Sequence, residues 1–276
     1  MVSAHALPSS TARTSLLPTK DGALEYLVTG SGDPTTVFAH GLAGSIATTR
    51  PFGGSVPGSR AFFHFRGHGA SSSPETPWTY AALAGELAAV ADHVGATQAL
   101  GVSMGAGALC HLLESQPDRF ERIVLVIPAV LDLPRQDAAL DRLVEMGELA
   151  QERDVDGVAE LLLAEQPEQQ RGRPEVVGWC RDQAATIVRT DVSRALRTIP
   201  YEVAMTDRQA LRKVTAPVLV LAQEDDPAHP VHVAEELAAL LPDARLEVLP
   251  PGGILWTHRS RVRSLIGDFL TRKARR

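Results

Sequence analysis

Two hydrophobic periods alternate along the first part of this chain. Short apolar runs rich in β-branched or aromatic residues predict strands at "ALEYLVTG", which follows the turn signal Asp21-Gly22, and at "TTVFAH" and "RAFFHF". Between Thr79 and Gly95 the apolar residues recur every three or four positions instead. This spacing predicts an amphipathic helix with Thr79 as its N-cap and Gly95 as its stop signal.

The same alternation continues through the middle of the chain and returns near its end. "TQALGV" and "RIVLVIP" predict buried strands, and "MGAGALCHLLES" between them predicts a helix. "APVLVLA" and "ARLEVLP" predict two more strands, which alternate with "VHVAEELAALL" and a final helix. Nearly continuous apolar strands that alternate with helices indicate an α/β fold, with a mostly parallel sheet and helices on both faces.

The strand signal disappears for one long stretch. "DAALDRLVEMGELAQ", "VDGVAELLLAEQ" and "PEVVGWCRDQAATIV" all have helical spacing. The predicted organisation is therefore a flexible N-terminal arm (1–12), the first part of a core (13–130), a helical insertion (131–206) and the second part of the core (207–276).

Composition and charge narrow the possible partners. The chain of 276 residues is 44% hydrophobic and 22% charged with a net charge of −6, which is typical of a water-soluble globular protein. Basic residues concentrate only in "TRKARR" at the end, and no apolar run is long enough to span a membrane. We expect no nucleic-acid or membrane partner. Cys110 and Cys180 have no metal-type spacing, so we also expect a reduced, cytoplasmic protein without a metal site.

The stretch "QALGVSMGAGAL" places Ser103 between Gly101 and Gly105, at the junction of a predicted strand and a predicted helix. In this context Gly-X-Ser-X-Gly lifts the serine hydroxyl above the sheet on a strained turn. Flanking glycines are needed because side chains there would collide with the neighbouring strand and helix. A flexible turn or a phosphate loop would share the spacing, but the strand and helix favour a nucleophilic serine.

A second motif, "TVFAHGLAGS", ends a strand at His40 and opens a glycine-rich turn, and "RGHGAS" follows the next strand. Together with the serine motif, these residues resemble the α/β-hydrolase fold family over roughly residues 16–270. The resemblance implies that the backbone N–H groups of Leu42 and Met104 form an oxyanion hole. It also implies that the helical insertion is a cap between the sixth and seventh strands, and that His40 and Gly41 contribute to the substrate pocket.

The resemblance also points to an acid. "APVLVLAQEDDPAHP" is similar to the family's seventh strand and the loop that follows it, which puts Asp226 in the acid position. Gln223 replaces the family's usual glycine, so Asp225 is the nearest alternative and Asp132 a distant one.

The family's histidine position, after the eighth strand, is occupied by Ile254 in "EVLPPGGILWTHR". Ile254 is therefore expected to line the pocket, and the base must come from elsewhere. His258 is the first candidate, because the glycines before Ile254 could turn the loop and swing this residue over Ser103. His229, three residues after Asp226, is the other candidate.

These residues predict a cofactor-independent serine hydrolase in which Ser103 attacks, His258 is the base and Asp226 orients it. A small carboxylic ester, a lactone or an activated ketone would be the substrate. The missing histidine keeps two alternatives open: a scaffold that binds a small ligand, and non-hydrolytic lyase or cyclase chemistry. The oligomeric state does not follow from the sequence.

Overall fold

The computed structural model describes residues 13–271. The expected arm (1–12) and the basic residues after Thr271 lie outside the described residues. Within the described part of the chain, no helix has the length and apolar character that a membrane span requires.

An eight-stranded sheet forms the centre of the molecule, in the order β1-β2-β4-β3-β5-β6-β7-β8. The first two pairings in this order are antiparallel and all the others are parallel. The strands are β1 (Ser15–Thr19), β2 (Gly22–Thr29), β3 (Thr35–Ala39), β4 (Ser59–Phe63), β5 (Gln98–Val102), β6 (Arg122–Val126), β7 (Val218–Gln223) and β8 (Ala244–Leu249).

Helices connect most of these strands, and the predicted α/β fold is confirmed. The helices are α1 (Ile46–Thr49), α2 (Tyr80–His93), α3 (Met104–Ser115), α4 (Ala138–Glu152), α5 (Val155–Ala164), α6 (Pro174–Arg189), α7 (Val192–Leu196), α8 (Val231–Leu240) and α9 (Arg259–Thr271). Short 3₁₀ turns span Arg50–Gly53, Glu168–Gln170, Ile199–Tyr201 and Arg208–Lys213, and a π-helical turn spans Gly253–Thr257.

Local signals account for the start and stop of the first long helix. The Thr79 side chain accepts a hydrogen bond from the backbone N–H of Ala82, as an N-cap does. Gly95 has a φ of +64°, a conformation that glycine adopts without strain. Both predicted signals of α2 are confirmed.

Strand β1 is missing from the sequence prediction. Its sequence "SLLPT" is short and contains Pro18, which lacks a backbone donor and is tolerated at a sheet edge. Among the described strands it pairs with β2 alone, through a tight turn next to the predicted Asp21-Gly22 signal. The apolar pattern of β1 is too short to predict a strand, and pairing with β2 stabilises its extended conformation.

The central strands are buried on both faces. Neighbouring residues such as Val37 and Phe38 on β3 enter opposite apolar clusters, because successive side chains of a strand alternate between faces. Helices α2, α3 and α8 cover one face, whereas α1 and α9 cover the other. This two-sided burial explains why the strands have nearly continuous apolar sequences.

The described residues between β6 and β7 contain helices α4 to α7 and no strand. These helices have an apolar cluster of their own, which includes Met146, Val158 and Ile187. Leu42 and Ala43, from the turn after β3, pack against this cluster. The helical segment (131–206) therefore lies over the turn that the sequence associates with the oxyanion hole.

Candidate active site

Ser103 occupies a strained turn between β5 and α3. Its φ of +50° and ψ of −111° lie outside the regions that a residue with a side chain normally adopts. A Cβ added to Gly101 would lie 2.4 Å from the Gly105 carbonyl oxygen, and one added to Gly105 would lie 2.4 Å from the Ala39 carbonyl oxygen. The structure thus has the crowded turn that the serine motif predicts.

The turn after β3 lies directly against this serine. A Cβ on Gly41 would be 3.4 Å from the Ser103 Cβ and 4.0 Å from its Oγ. Leu42 and Met104 both line the same cavity as Ser103. Among the described residues, no carbonyl or side chain accepts from the backbone N–H of either residue. Both donors are therefore free to bind an oxygen of a ligand.

His40 lies beneath the turn after β3, as the resemblance also implies, but it does not line the cavity, so the expectation that it contributes to the substrate pocket is wrong. It is only 1% exposed. The backbone N–H of Phe65 donates to its Nε2 at 3.0 Å, and its Nδ1 therefore donates to the Gly41 carbonyl at 2.7 Å. Burial lowers the pKa of His40 well below its ordinary value. This neutral imidazole supports the turn from below, while Gly41 reaches the cavity as expected.

Asp226 lies on the loop that follows β7, as the sequence predicts, and it lines the cavity. Its Oδ1 accepts from the Ala228 backbone N–H at 3.2 Å. Burial alone would raise the pKa of the Asp226 carboxyl, but the neighbouring His229 and backbone N–H groups lower it below its ordinary value. The group is therefore held as a carboxylate.

The two alternative acids have other environments. Asp225 is exposed, with a φ of +55° that turns the loop. Asp132 accepts from the Arg208 Nε at 2.6 Å, and this bond lowers its pKa. Neither side chain accepts a hydrogen bond from a histidine among the described residues.

His229 joins Asp226 to Ser103. Its Nδ1 lies 2.9 Å from the Asp226 Oδ2, and its Nε2 lies 2.9 Å from the Ser103 Oγ. Because a carboxylate can only accept, Nδ1 carries the proton of the neutral ring and Nε2 accepts from the serine hydroxyl. The candidate nucleophile, the candidate base and the candidate orienting acid are thus arranged in one hydrogen-bonded chain.

His258 does not reach Ser103, so the expected placement over the serine is wrong. Its Nε2 lies 3.2 Å from the Pro251 carbonyl oxygen, and it does not line the cavity. The preceding glycines do adopt unusual conformations, with φ of +138° at Gly252 and +89° at Gly253. They lead into the π-helical turn Gly253–Thr257, which directs Ile254 rather than His258 into the cavity.

A sequence signal for His229 was available in "DDPAHP". A histidine three residues after an aspartate can return to it when prolines restrict the loop between and after them. Here Pro227 and Pro230 flank the segment, and the His229 backbone N–H also donates to the Asp226 carbonyl at 3.1 Å. A local turn therefore holds the candidate base next to its acid, and the histidine comes from the loop after β7 rather than from the loop after β8.

A largely apolar cavity of about 310 Å³ opens above Ser103. Its walls come from the turn after β3, the helical segment and the π-helical turn, and they include Leu143, Met146, Trp179, Ile187, Ile254 and Trp256. The expected position of Ile254 in the pocket wall agrees with this arrangement. Trp179 and Trp256 meet edge to face with their ring centroids 5.8 Å apart, which joins the helical segment to the core at the cavity rim.

The chain belongs to the alpha/beta hydrolase fold family, whose model matches residues 34–254. It is 25% identical over 225 residues to a poly(3-hydroxyalkanoate) depolymerase of Ectopseudomonas oleovorans, covering 78% of this chain and 75% of that protein.

Solved structures have the same fold. MGS-M2, an alpha/beta hydrolase enzyme from a Medee basin deep-sea metagenome library, has a TM-score of 0.79 and 16% identity, over 95% of this chain and 99% of that one. The enol-lactonase from Burkholderia xenovorans LB400 has a TM-score of 0.76 and 21% identity, over 94% of this chain and 100% of that one.

Proposed function

We propose that this protein is a serine hydrolase that cleaves a carboxylic ester or lactone, with Ser103 as nucleophile, His229 as base and Asp226 as the group that orients the base. The observation that carries the proposal is the pair of 2.9 Å hydrogen bonds of His229, one to Ser103 and one to Asp226. Family membership supports a hydrolase in general.

In the proposed reaction, the Ser103 Oγ attacks the acyl carbon while the His229 Nε2 takes the hydroxyl proton. The imidazolium that results is stabilised by the Asp226 carboxylate. The N–H groups of Leu42 and Met104 would hold the oxyanion, since both are free and both residues line the cavity together with the serine. His229 then returns the proton to the leaving alcohol, and water hydrolyses the acyl-enzyme by the same steps.

The cavity favours a substrate with an apolar acyl or alcohol part. Its lining is mainly aliphatic and aromatic, and its volume of about 310 Å³ is in the range of pockets that bind small molecules. Similarity to a poly(3-hydroxyalkanoate) depolymerase and to an enol-lactonase favours esters and lactones over activated ketones as substrates. We propose that the helical segment (131–206) is the cap that closes this cavity.

The alternatives of a ligand-binding scaffold and of lyase or cyclase chemistry rested on the missing histidine after β8. His229 supplies an imidazole at hydrogen-bonding distance from Ser103. The missing histidine after β8 therefore no longer favours a binding scaffold or lyase or cyclase chemistry. A hydrolase is the better account of an intact proton-transfer chain.

The test is covalent labelling with a small fluorophosphonate, followed by intact mass, on the wild type and three variants. We expect rapid labelling of the wild type, none of Ser103→Ala, and labelling slowed by roughly 10³-fold in His229→Ala. His258→Ala is the matched histidine control and should label at the wild-type rate. An unlabelled wild type would overturn the proposed function, and equal labelling of His229→Ala would remove His229 from the mechanism.

A further inference from the structure

The acid and the base lie on one loop, whereas the nucleophile lies on another part of the chain. Asp226 and His229 are three positions apart, and hydrogen bonds within the loop fix their relative position. Ser103 is 126 positions away from His229. The distance between base and nucleophile therefore depends on what holds the loop as a whole against the core.

Arg135 makes a contact of this kind. Its Nη2 donates to the carbonyl oxygen of Ala228, the residue immediately before His229. The Arg135 side chain is only 5% exposed and lines the cavity beside the loop. A charge-assisted bond from a buried guanidinium is stronger than a bond between neutral groups, so it can hold the loop firmly.

The other side of the guanidinium is held in turn. Its Nε lies 3.0 Å and 3.1 Å from the two carboxylate oxygens of Asp137. Asp137 is the N-cap of α4, since its Oδ1 accepts from the Leu140 backbone N–H at 3.1 Å. One continuous series of hydrogen bonds thus runs from the first helix of the helical segment to the loop that carries acid and base.

We propose that Arg135 is a positioning residue that sets the distance between His229 and Ser103 and ties it to the first turn of α4. This inference rests on the proposed function. Arg135 itself takes no proton and forms no bond to the reacting atoms. Its effect comes through geometry, because a displacement of about 1 Å at a catalytic group can lower the rate by about 10²-fold.

The experiment compares Arg135→Ala and Arg135→Lys with the wild type, by labelling with a small fluorophosphonate and by hydrolysis of an activated ester. We expect labelling and kcat to fall by about 10²-fold in Arg135→Ala. The labelling rate and kcat of Arg135→Lys should lie between those of the wild type and Arg135→Ala. Lysine keeps the positive charge but lacks the planar guanidinium that binds Ala228 and Asp137 at the same time. Guanidinium ion, at a concentration too low to unfold the protein, should restore part of the labelling rate of Arg135→Ala.

Arg208→Ala is the matched control. Arg208 is likewise a partly buried arginine that bridges two groups, with its Nε 2.6 Å from Asp132 and its Nη1 2.7 Å from Glu236, but it donates no hydrogen bond to the described residues 226–229. We expect this variant to lose stability without slower labelling. Similar slowing in both variants would show a general structural effect and overturn the proposal.

Other outcomes are equally decisive. Unchanged labelling of Arg135→Ala would overturn the positioning role, since the small probe reports on the reactivity of Ser103 and not on contacts deep in the cavity. A rise in the KM of the ester without a fall in kcat would also overturn it, because it would mean that Arg135 contacts the substrate instead of positioning His229. Failure of the wild type to label would instead overturn the proposed function, so the two failures are distinguishable.

Discussion

The His229 Nε2 lies 2.9 Å from the Ser103 Oγ, although the two residues are 126 positions apart. The chain order of serine, acid and histidine is the one that α/β hydrolases use. This chain differs from the usual family pattern in the position of the histidine, which lies on the acid loop before β8 instead of after that strand. Because a proton-transfer chain requires geometry rather than a fixed sequence position, this arrangement can do the same chemistry.

Asp226→Asn should lower kcat for an activated ester by roughly 10⁴-fold with little change in stability. The amide that replaces the Asp226 carboxylate can donate to the His229 Nδ1, and the ring proton would then lie on Nε2. A protonated Nε2 cannot accept the hydrogen bond from the Ser103 hydroxyl. Steady-state kinetics checks this expectation. Asp225→Asn, on the exposed neighbour, is the matched control and should keep the wild-type kcat. Equal losses in both variants would contradict the assignment of the acid.

Ser103→Gly should unfold at a higher urea concentration than Ser103→Ala, by about 1 kcal/mol in the free energy of unfolding. The positive φ at this position strains any residue with a Cβ, whereas glycine adopts it freely. Both variants should be inactive, so the comparison isolates the strain. If the alanine variant were as stable as the glycine variant, no strain would be stored at the serine turn.

Three buried histidines, His40, His64 and His68, should make stability depend on pH. His40 and His68 have ring centroids 4.5 Å apart, and His64 lies 5.8 Å from His40. The Glu25 carboxylate lies 2.8 Å from the His64 Nδ1. Burial lowers the pKa of all three histidines, and that of His68 falls from 6.5 to about 4.

A histidine with a lowered pKa in the folded state binds a proton first in the unfolded state. Its contribution to stability is therefore complete above pH 6.5 and is lost as the pH falls towards 4. For His68 alone the loss in the free energy of unfolding is about 3 kcal/mol. Thermal melts from pH 7.5 to 4.5 should show this fall.

His68→Asn should flatten this pH dependence even though it lowers stability at pH 7.5. His232→Asn, at an exposed position on α8, is the matched control and should keep the wild-type slope. A wild-type melting temperature that stays constant down to pH 4.5 would contradict the buried neutral histidines.

Ile254→Ala should shift the preference among p-nitrophenyl esters towards longer acyl chains, because it enlarges the cavity next to Ser103. Removal of the buried side chain should also lower the free energy of unfolding by about 3 kcal/mol. Leu270→Ala is the matched control, since Leu270 belongs to the same apolar cluster but does not line the cavity. It should lose similar stability without a change in chain-length preference. The same shift in both variants would mean that Ile254 does not shape the pocket.

Most of the fold follows from patterns that are local in sequence. The alternation of strand and helix predicts β2 to β8 and the long helices, because periodicity records which face of each element is buried. The Ser103 turn is also predicted, since two glycines and a strand-to-helix junction define it within five residues. Strand β1 escapes prediction because its own sequence is short and contains a proline, and pairing with β2 stabilises it.

The identity of the candidate base could not be predicted from local sequence patterns. The sequence by itself determined the α/β architecture, the strained serine, the acid loop and the absence of a histidine from the turn after β8. Only the tertiary structure decided between His229 and His258, because that choice depends on how two loops meet at the same edge of the sheet. Packing turned Ile254 into the cavity and left His258 outside it, whereas the short acid loop, held by Arg135, brought His229 to the serine.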